Sequence, residues 1–200
     1  AVLDDQSKVA FEGLLENLQR AGVILLRRAD HPLVEKLEQA VVEAPAITGN
    51  ITPWENRWAQ RNLVNLKGEF VSERAKATLA KAEAMTPDDY RAAILAREAA
   101  QRAHAAIGNL ADAMITLSCP GPAPLWPGDI QGQPLAPRPT GDAIFNTPSS
   151  MLFAPCVTMP LMSVGGMPVG AQVMGQQHQD ARVTALARWI IDEIDPVVVD

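Results

Sequence analysis

Two hundred residues, 48% hydrophobic and 20% charged, supply enough apolar surface for one domain with a substantial core and do not have the composition of a disordered chain. Seventeen basic against twenty-three acidic side chains give a formal charge of −6, so nothing in the charge balance calls for nucleic acid as a partner. Cys119 and Cys156 have neither a CxxC neighbour nor a histidine cluster, which implies no disulfide framework, no metal site and a reduced, cytoplasmic setting.

The chain opens Ala-Val-Leu-Asp-Asp, with no initiator methionine, no basic n-region and no apolar h-region; it is read as a cut end rather than a signal peptide. From Gln6 to Gly22, Phe11, Leu14, Leu15 and Leu18 recur at helical spacing. Val23–Leu26 follows as a short apolar run before Arg27 and Arg28 and is expected to be a buried strand. A second helix is predicted with Asp30 as N-cap, Pro32 in its first turn and Leu33, Leu37 and Val41 on one face.

Thr52-Pro53-Trp54-Glu55 and Thr86-Pro87-Asp88-Asp89 each place a threonine cap, a first-turn proline and an acid three residues after the cap, so each is expected to open a helix. The alanine-rich stretch Glu69–Met85 and the helix from Thr86 to about Ile107 complete a helical excursion spanning about 52–108. Asp112–Leu117 reads as a strand, and residues 119–139, with seven prolines, as a long irregular surface loop within one domain.

No Asp, Glu, Lys or Arg occurs from Ala143 to Gln179, yet Pro148, Pro155, Pro160 and Pro168 interrupt the run too often for a membrane span. It is read as buried strands, Cys156–Met159 and Val169–Met174, with Gly165-Gly166-Met167-Pro168 turning into the second. A closing helix then buries Val183, Leu186, Ala187, Ile190 and Ile191, so that the closing strands and helix occupy about 143–195. Gly165-Gly166 is not a phosphate cradle, since a strand and not a Gly-Lys-Ser helix follows, and no cofactor is implied.

These elements carry a resemblance. Glu73-Arg-Ala-Lys-Ala-Thr-Leu, Thr86-Pro-Asp-Asp-Tyr90, Arg97, Arg102, Asp112-Ala-Met-Ile-Thr116 and Pro120-Gly-Pro-Ala-Pro124 resemble, in order and spacing, the C-terminal half of amidase-signature enzymes. Phe145-Asn-Thr-Pro-Ser-Ser-Met-Leu152, Met159-Pro160 and Gly166-Met-Pro-Val-Gly-Ala-Gln-Val-Met-Gly175 are similar to that family's closing motifs. The resemblance implies an α/β fold with a mixed β-sheet covered by helices, of which residues 1–200 form the C-terminal portion as a single domain.

It also implies hydrolysis of a carbon–nitrogen amide bond by a lysine, a bridging cis-serine and a nucleophilic serine. The lysine would relay a proton through the bridging serine, and backbone amides would hold the oxyanion. The Gly/Ser-rich segment that carries those groups in the family has no counterpart here, and no catalytic residue can be assigned to this chain. Two departures add bulk near the sheet: Phe153-Ala154-Pro155 stands where the family has a Leu-Gly-x-Pro turn, and Cys156 where alanine is common. The acidic residue with which the amidotransferase branch grips its substrate's amino group aligns with Ala143, one residue from Asp142, which disfavours a glutamine-type substrate.

Several residues admit a sharp and a plain reading. Ser149-Ser150 are read as helix-capping residues after Pro148 and not as the family's serine pair, and an independent Asp142–Ser149–His178 triad is disfavoured because no nucleophile-elbow pattern surrounds it. Phe145 and Asn146 are the substrate-binding candidates, an aromatic wall followed by an amide donor; the amide could equally tie down the loop backbone, and both readings stay open. Gln172, mid-strand among apolar residues, must be hydrogen-bonded and is given a structural role. Trp54 and Trp58 are read as packing residues in preference to a channel wall, His31 and His104 as solvated, and Cys119 and Cys156 as buried thiols.

The reading is therefore an amidase part that contributes pocket and sheet to a small-molecule amide site. Its N-terminal catalytic part would be removed, cleaved or borne on another polypeptide. Alone, the chain is expected to be inert. A sheet cut at its edge is expected to favour self-association, so a homo-oligomer is possible. The alternative is a non-enzymatic binding or scaffold domain built on the same architecture.

Overall fold

Residues 3–125 and 142–200 are described by a computed structural model of the chain. The Asp4 carboxylate accepts Ser7 N at 2.7 Å and opens α1 (Asp5–Arg20), which buries Leu14, Leu15 and Leu18 along one face. Val23–Leu26 is not the buried strand expected: it belongs to no ladder among the described residues, and Ile24 is 87% exposed. Four apolar residues favour an extended backbone, but a ladder needs a neighbour that local sequence does not encode.

α2 (Pro32–Val42) is capped by His31 and not by Asp30: His31 Nδ1 accepts Leu33 N at 3.1 Å, while Asp30 turns back to accept Arg27 N at 2.6 Å. His31 is therefore a half-buried cap and not a solvated side chain.

α3 (Ala44–Lys67) corrects the reading of Thr52-Pro53 as a helix start, because Pro53 lies inside the helix. A proline has no N–H to give the carbonyl four residues before it, here Gly49 O. That oxygen instead accepts Lys81 Nζ at 3.1 Å from α4 (Glu73–Ala84), so the missing rung is replaced from outside. Thr86 does open α5 (Pro87–Ala106): Asp89 N donates to Thr86 Oγ1 at 3.2 Å and Thr86 N to Asp89 Oδ2 at 2.8 Å.

Trp54 stacks on Tyr90 with centroids 5.8 Å apart. Trp58 does not pack inward: it is 59% exposed, with the Arg57 and Arg61 guanidinium groups 5.6 and 4.7 Å from its ring centroid. Two cations over its ring stabilise an indole that solvent still reaches.

His104, expected to be solvated, is 2% exposed. Its apolar neighbours on α5, Ala100 and Ala103, face the same core as Ile107, and small side chains draw the histidine in with them. Burial pushes its imidazole pKa below the ordinary 6.5.

The sheet is mixed, in the order β1-β3-β2-β4. β1 (Met114–Leu117) and β2 (Cys156–Val164) flank β3 (Met167–Met174) antiparallel, and β4 (Val197–Val199) lies parallel to β2. Gly165 and Gly166, at φ 54° and 73°, form the two-residue β2–β3 turn that positive φ at both positions permits. β2 runs past the expected end at Met159, and its register shifts between Met159 and Met162, around Pro160.

Val169, Ala171 and Val173 of β3 face a core shared with α1 and α7 (Asp180–Glu193). Gln172 and Met174 alternate to the other face, and Met174 joins the core formed with α2, α3 and α5. In α7, Val183, Ala187 and Ile190 are buried as expected, but Ile191 is 52% exposed, because 100° of helical rotation past Ile190 carries it off the core face. β4 escapes a sequence reading, being three residues after Pro196; α1 ties it down through Asn17 Nδ2 to Asp195 O at 2.9 Å. Among the described residues no helix is long and apolar enough to cross a membrane.

Gly170 explains part of the closing motif. A Cβ there would lie 2.3 Å from Ser118 Oγ and 2.7 Å from Thr158 Cγ2, and Ser118 Oγ donates to Gly170 O at 2.9 Å. Gly170→Ala is expected to cost about 3 kcal/mol through forced overpacking, measured by urea unfolding.

The buried His104 sets a pH dependence. Above its ordinary value of 6.5 the imidazole is neutral whether the chain is folded or not; as pH falls below 6.5 the unfolded chain takes up the proton first, so stability declines. Thermal melts between pH 7.5 and 5 are expected to show this loss, and His104→Leu is expected to flatten that component.

Candidate functional site

A cleft of about 1170 Å³ opens between the first half of α3 and two loop segments, Cys119–Pro124 and Asp142–Thr147. Thr48, Gly49, Thr52 and Pro53 form the helical wall, with Thr78 of α4 beside them. Asp4 stands at the loop side, where Asp4 N donates to Pro120 O at 2.9 Å. A Cβ on Gly121 would lie 3.0 Å from Asp4 Cβ, so the start of α1 and this loop approach as closely as a glycine permits.

The Asp142–Thr147 segment is a tight backbone structure leading into α6 (Thr147–Leu152). Asp142 Oδ1 accepts Ile144 N at 2.9 Å, and Ala143 O accepts both Asn146 N and Thr147 N at 2.9 Å. Thr147 Oγ1 returns a bond to Ile144 O at 3.1 Å.

What holds this segment to the sheet is Gln172, 1% exposed. Its Nε2 donates to Phe145 O at 2.6 Å and to Thr116 Oγ1 at 2.9 Å, while its Oε1 accepts from Cys156 Sγ at 3.1 Å. Burial raises the Cys156 thiol pKa, which keeps it in the protonated, donating form. Cys156, half-buried and not fully buried as expected, is thus the added bulk that supplies a donor to the glutamine oxygen. Cys119, also half-buried, lines the cleft.

Phe145 and Asn146 are not among the residues that line the cleft; they stand in the chain between two that do, Ile144 and Thr147. The Phe145 ring packs against the core beneath the sheet and its carbonyl is held by Gln172. Asn146 is exposed, and no hydrogen bond holds its side-chain amide among the described residues; as the residue before α6 it does not cap the helix with that amide. Ser149 corrects the capping reading, because its hydroxyl donates back to Asn146 O at 2.9 Å; Ser150 lines the cleft. His178 lies exposed with φ 66°, and Ser149 spends its proton on a carbonyl and not on an imidazole.

Phe153, at the position of the resembled glycine, closes α6 in the left-handed region at φ 53° and ψ 36°. Phe153 N donates to Ser150 O at 3.3 Å and Ala154 N to Ser149 O at 3.1 Å, so the turn keeps its bonds at a cost of about 1–2 kcal/mol for a non-glycine residue. Arg97 covers the half-exposed ring 5.0 Å from its centroid.

The sequence reading missed Asp4, Thr48, Gly49 and Thr78, because the cleft gathers positions far apart in the chain and no local pattern marks them. Gln172→Glu, isosteric but without N–H donors, is expected to destabilise the chain by about 2 kcal/mol or more, read by urea unfolding, because two buried acceptors lose their donor.

No family model and no curated protein sequence matches the chain, whereas solved structures do. A crystal structure of an amidase superposes with a TM-score of 0.77 at 25% identity, covering 96% of this chain and 43% of the amidase. A 6-aminohexanoate cyclic dimer hydrolase matches with a TM-score of 0.57 at 16% identity, covering 96% of this chain and 42% of the hydrolase. A bacterial aryl acylamidase of the amidase-signature family matches with a TM-score of 0.57 at 11% identity, covering 82% and 40% of the respective chains. This chain spans less than half the length of each. Its mixed sheet, its covering helices and its closing motifs have the architecture of the amidase-signature enzymes, in part.

Proposed function

We propose that the chain is the C-terminal part of an amidase. In this reading it supplies sheet and pocket for hydrolysis of a carbon–nitrogen amide bond, and the serine, cis-serine and lysine lie on polypeptide outside these residues. The observation that carries the reading is the 0.77 TM-score over 96% of this chain against 43% of an amidase, with 25% identity. A cleft of about 1170 Å³, slightly above the usual range of ligand sites, is large enough for a small-molecule amide.

The contribution to catalysis is positional. A substrate amide is held against fixed walls, so that an incoming nucleophile meets an oriented carbonyl. Gln172 fixes the backbone on which Phe145 and Asn146 stand, and these two remain the residues assigned to substrate contact, the ring as apolar wall and the free carboxamide as hydrogen-bonding group. A small-molecule amide and the catalytic part are the partners this reading requires; a cytoplasmic setting belongs to the same proposal.

The test joins a mass measurement to an activity assay. Intact mass and N-terminal sequencing of the natural polypeptide are expected to find a lysine and a Gly/Ser-rich serine pair ahead of Ala1 or on a co-purifying chain. That assembly is expected to hydrolyse simple aryl amides, while residues 1–200 alone show no turnover. Hydrolysis by the isolated chain that disappears in Ser149→Ala would overturn the proposal.

A further inference from the structure

Val23–Leu26 is a strand-like run without a sheet, and from this we infer that it is a docking site for a β-strand of the polypeptide that completes the fold. The inference rests on the amidase reading and adds to it a surface through which the catalytic part attaches.

Val23 and Leu25 pack against the core shared by α1, the sheet and α7, while Ile24 is 87% and Leu26 37% exposed. Alternation with a period of two is what an extended backbone produces. The run is fixed at both ends. Val23 N donates to Leu18 O at 3.0 Å, and beyond the run Arg27 N donates to Asp30 Oδ2 at 2.6 Å while its guanidinium reaches Glu12 Oε2 at 2.7 Å. Between these anchors the N–H groups of Ile24, Leu25 and Leu26 and their carbonyls make no backbone hydrogen bond among the described residues. Within the run no charge and no proline blunts the edge, as edges left in solvent ordinarily are. A held, extended segment with free donors and acceptors is what an incoming strand pairs with.

The residues of the run indicate what pairs with it. Val-Ile-Leu-Leu is apolar on both faces, the pattern of a strand covered above and below. Antiparallel pairing with a second copy would turn both covered faces to one side and both Ile24 side chains to the other, still in water. The partner must therefore bring a strand together with a layer that lies over Ile24. The amidase that superposes on 96% of this chain is matched over 43% of its own length, so more than half of that fold lies outside these residues and can supply both.

Hydrogen exchange, read by mass spectrometry on the natural polypeptide or on the chain with its co-purifying partner, tests this. The reference is a synthetic peptide of the same sequence around Ile24–Leu26. Those amides are expected to exchange about a hundredfold more slowly in the protein than in the peptide. In the same protein carrying Ile24→Cys, the introduced thiol is expected to resist maleimide under native conditions and to react after denaturation. Exchange at the peptide's rate overturns the inference, and so does slow exchange with a freely labelled thiol, which is the outcome for pairing with a second copy. Aryl-amide hydrolysis by the same preparation separates the two readings. Turnover with fast exchange sinks the docking and leaves the amidase reading standing; slow exchange and a shielded thiol without turnover keep the docking and sink the amidase reading.

Discussion

Three strands and one loop meet at a single carboxamide. Gln172 donates to Thr116 on β1 and to the Phe145 carbonyl, and it accepts from Cys156 on β2, while its own backbone belongs to β3. With almost no solvent contact, each of those bonds replaces one that water would otherwise make, and the low polarity around them raises the cost of losing any of them. The loop that borders the cleft is therefore located by a strand residue that does not line it. Its position follows from sheet register, since Thr116 and Thr158 are the cross-strand partners of Gln172 on either side.

The rest of the closing motif serves the same register. Gly165 and Gly166 set the hairpin, and that fixes which β2 residue opposes which β3 residue. Gly170 leaves room for Ser118 and Thr158 on the face it shares with Gln172. A Gly-x-Pro-x-Gly-x-Gln pattern is thus a set of steric and hydrogen-bonding conditions for holding a loop against a sheet, with alternate positions facing the apolar core.

Much of this was readable from the residues. Capping chemistry found α5, periodicity found α1, and the uncharged stretch near the end was correctly read as strands, because each of these signals is local. The failures share a cause. Val23–Leu26 has the composition of a strand, but strand pairing depends on a partner; Pro53 looks like a helix start, but a lysine 28 positions later replaces the bond it removes. His104 carries a polar label and is buried by the alanines around it. The cleft was the least legible part, since Asp4, Thr48, Pro120 and Asp142 are brought together by tertiary packing alone. Phe145 and Asn146, chosen because an aromatic followed by an amide is a local pattern, are not among the residues that line it, whereas Ile144 and Thr147 on either side are.

The bond from Lys81 to Gly49 has a mechanical consequence. A proline-interrupted helix ordinarily bends at the gap, and the bend can open and close with little resistance. Here the carbonyl left free at the gap accepts a cation from α4, so bending at that point works against a contact to the neighbouring helix. The bond thus ties the middle of one helix to its neighbour at the point where a proline would otherwise leave a hinge.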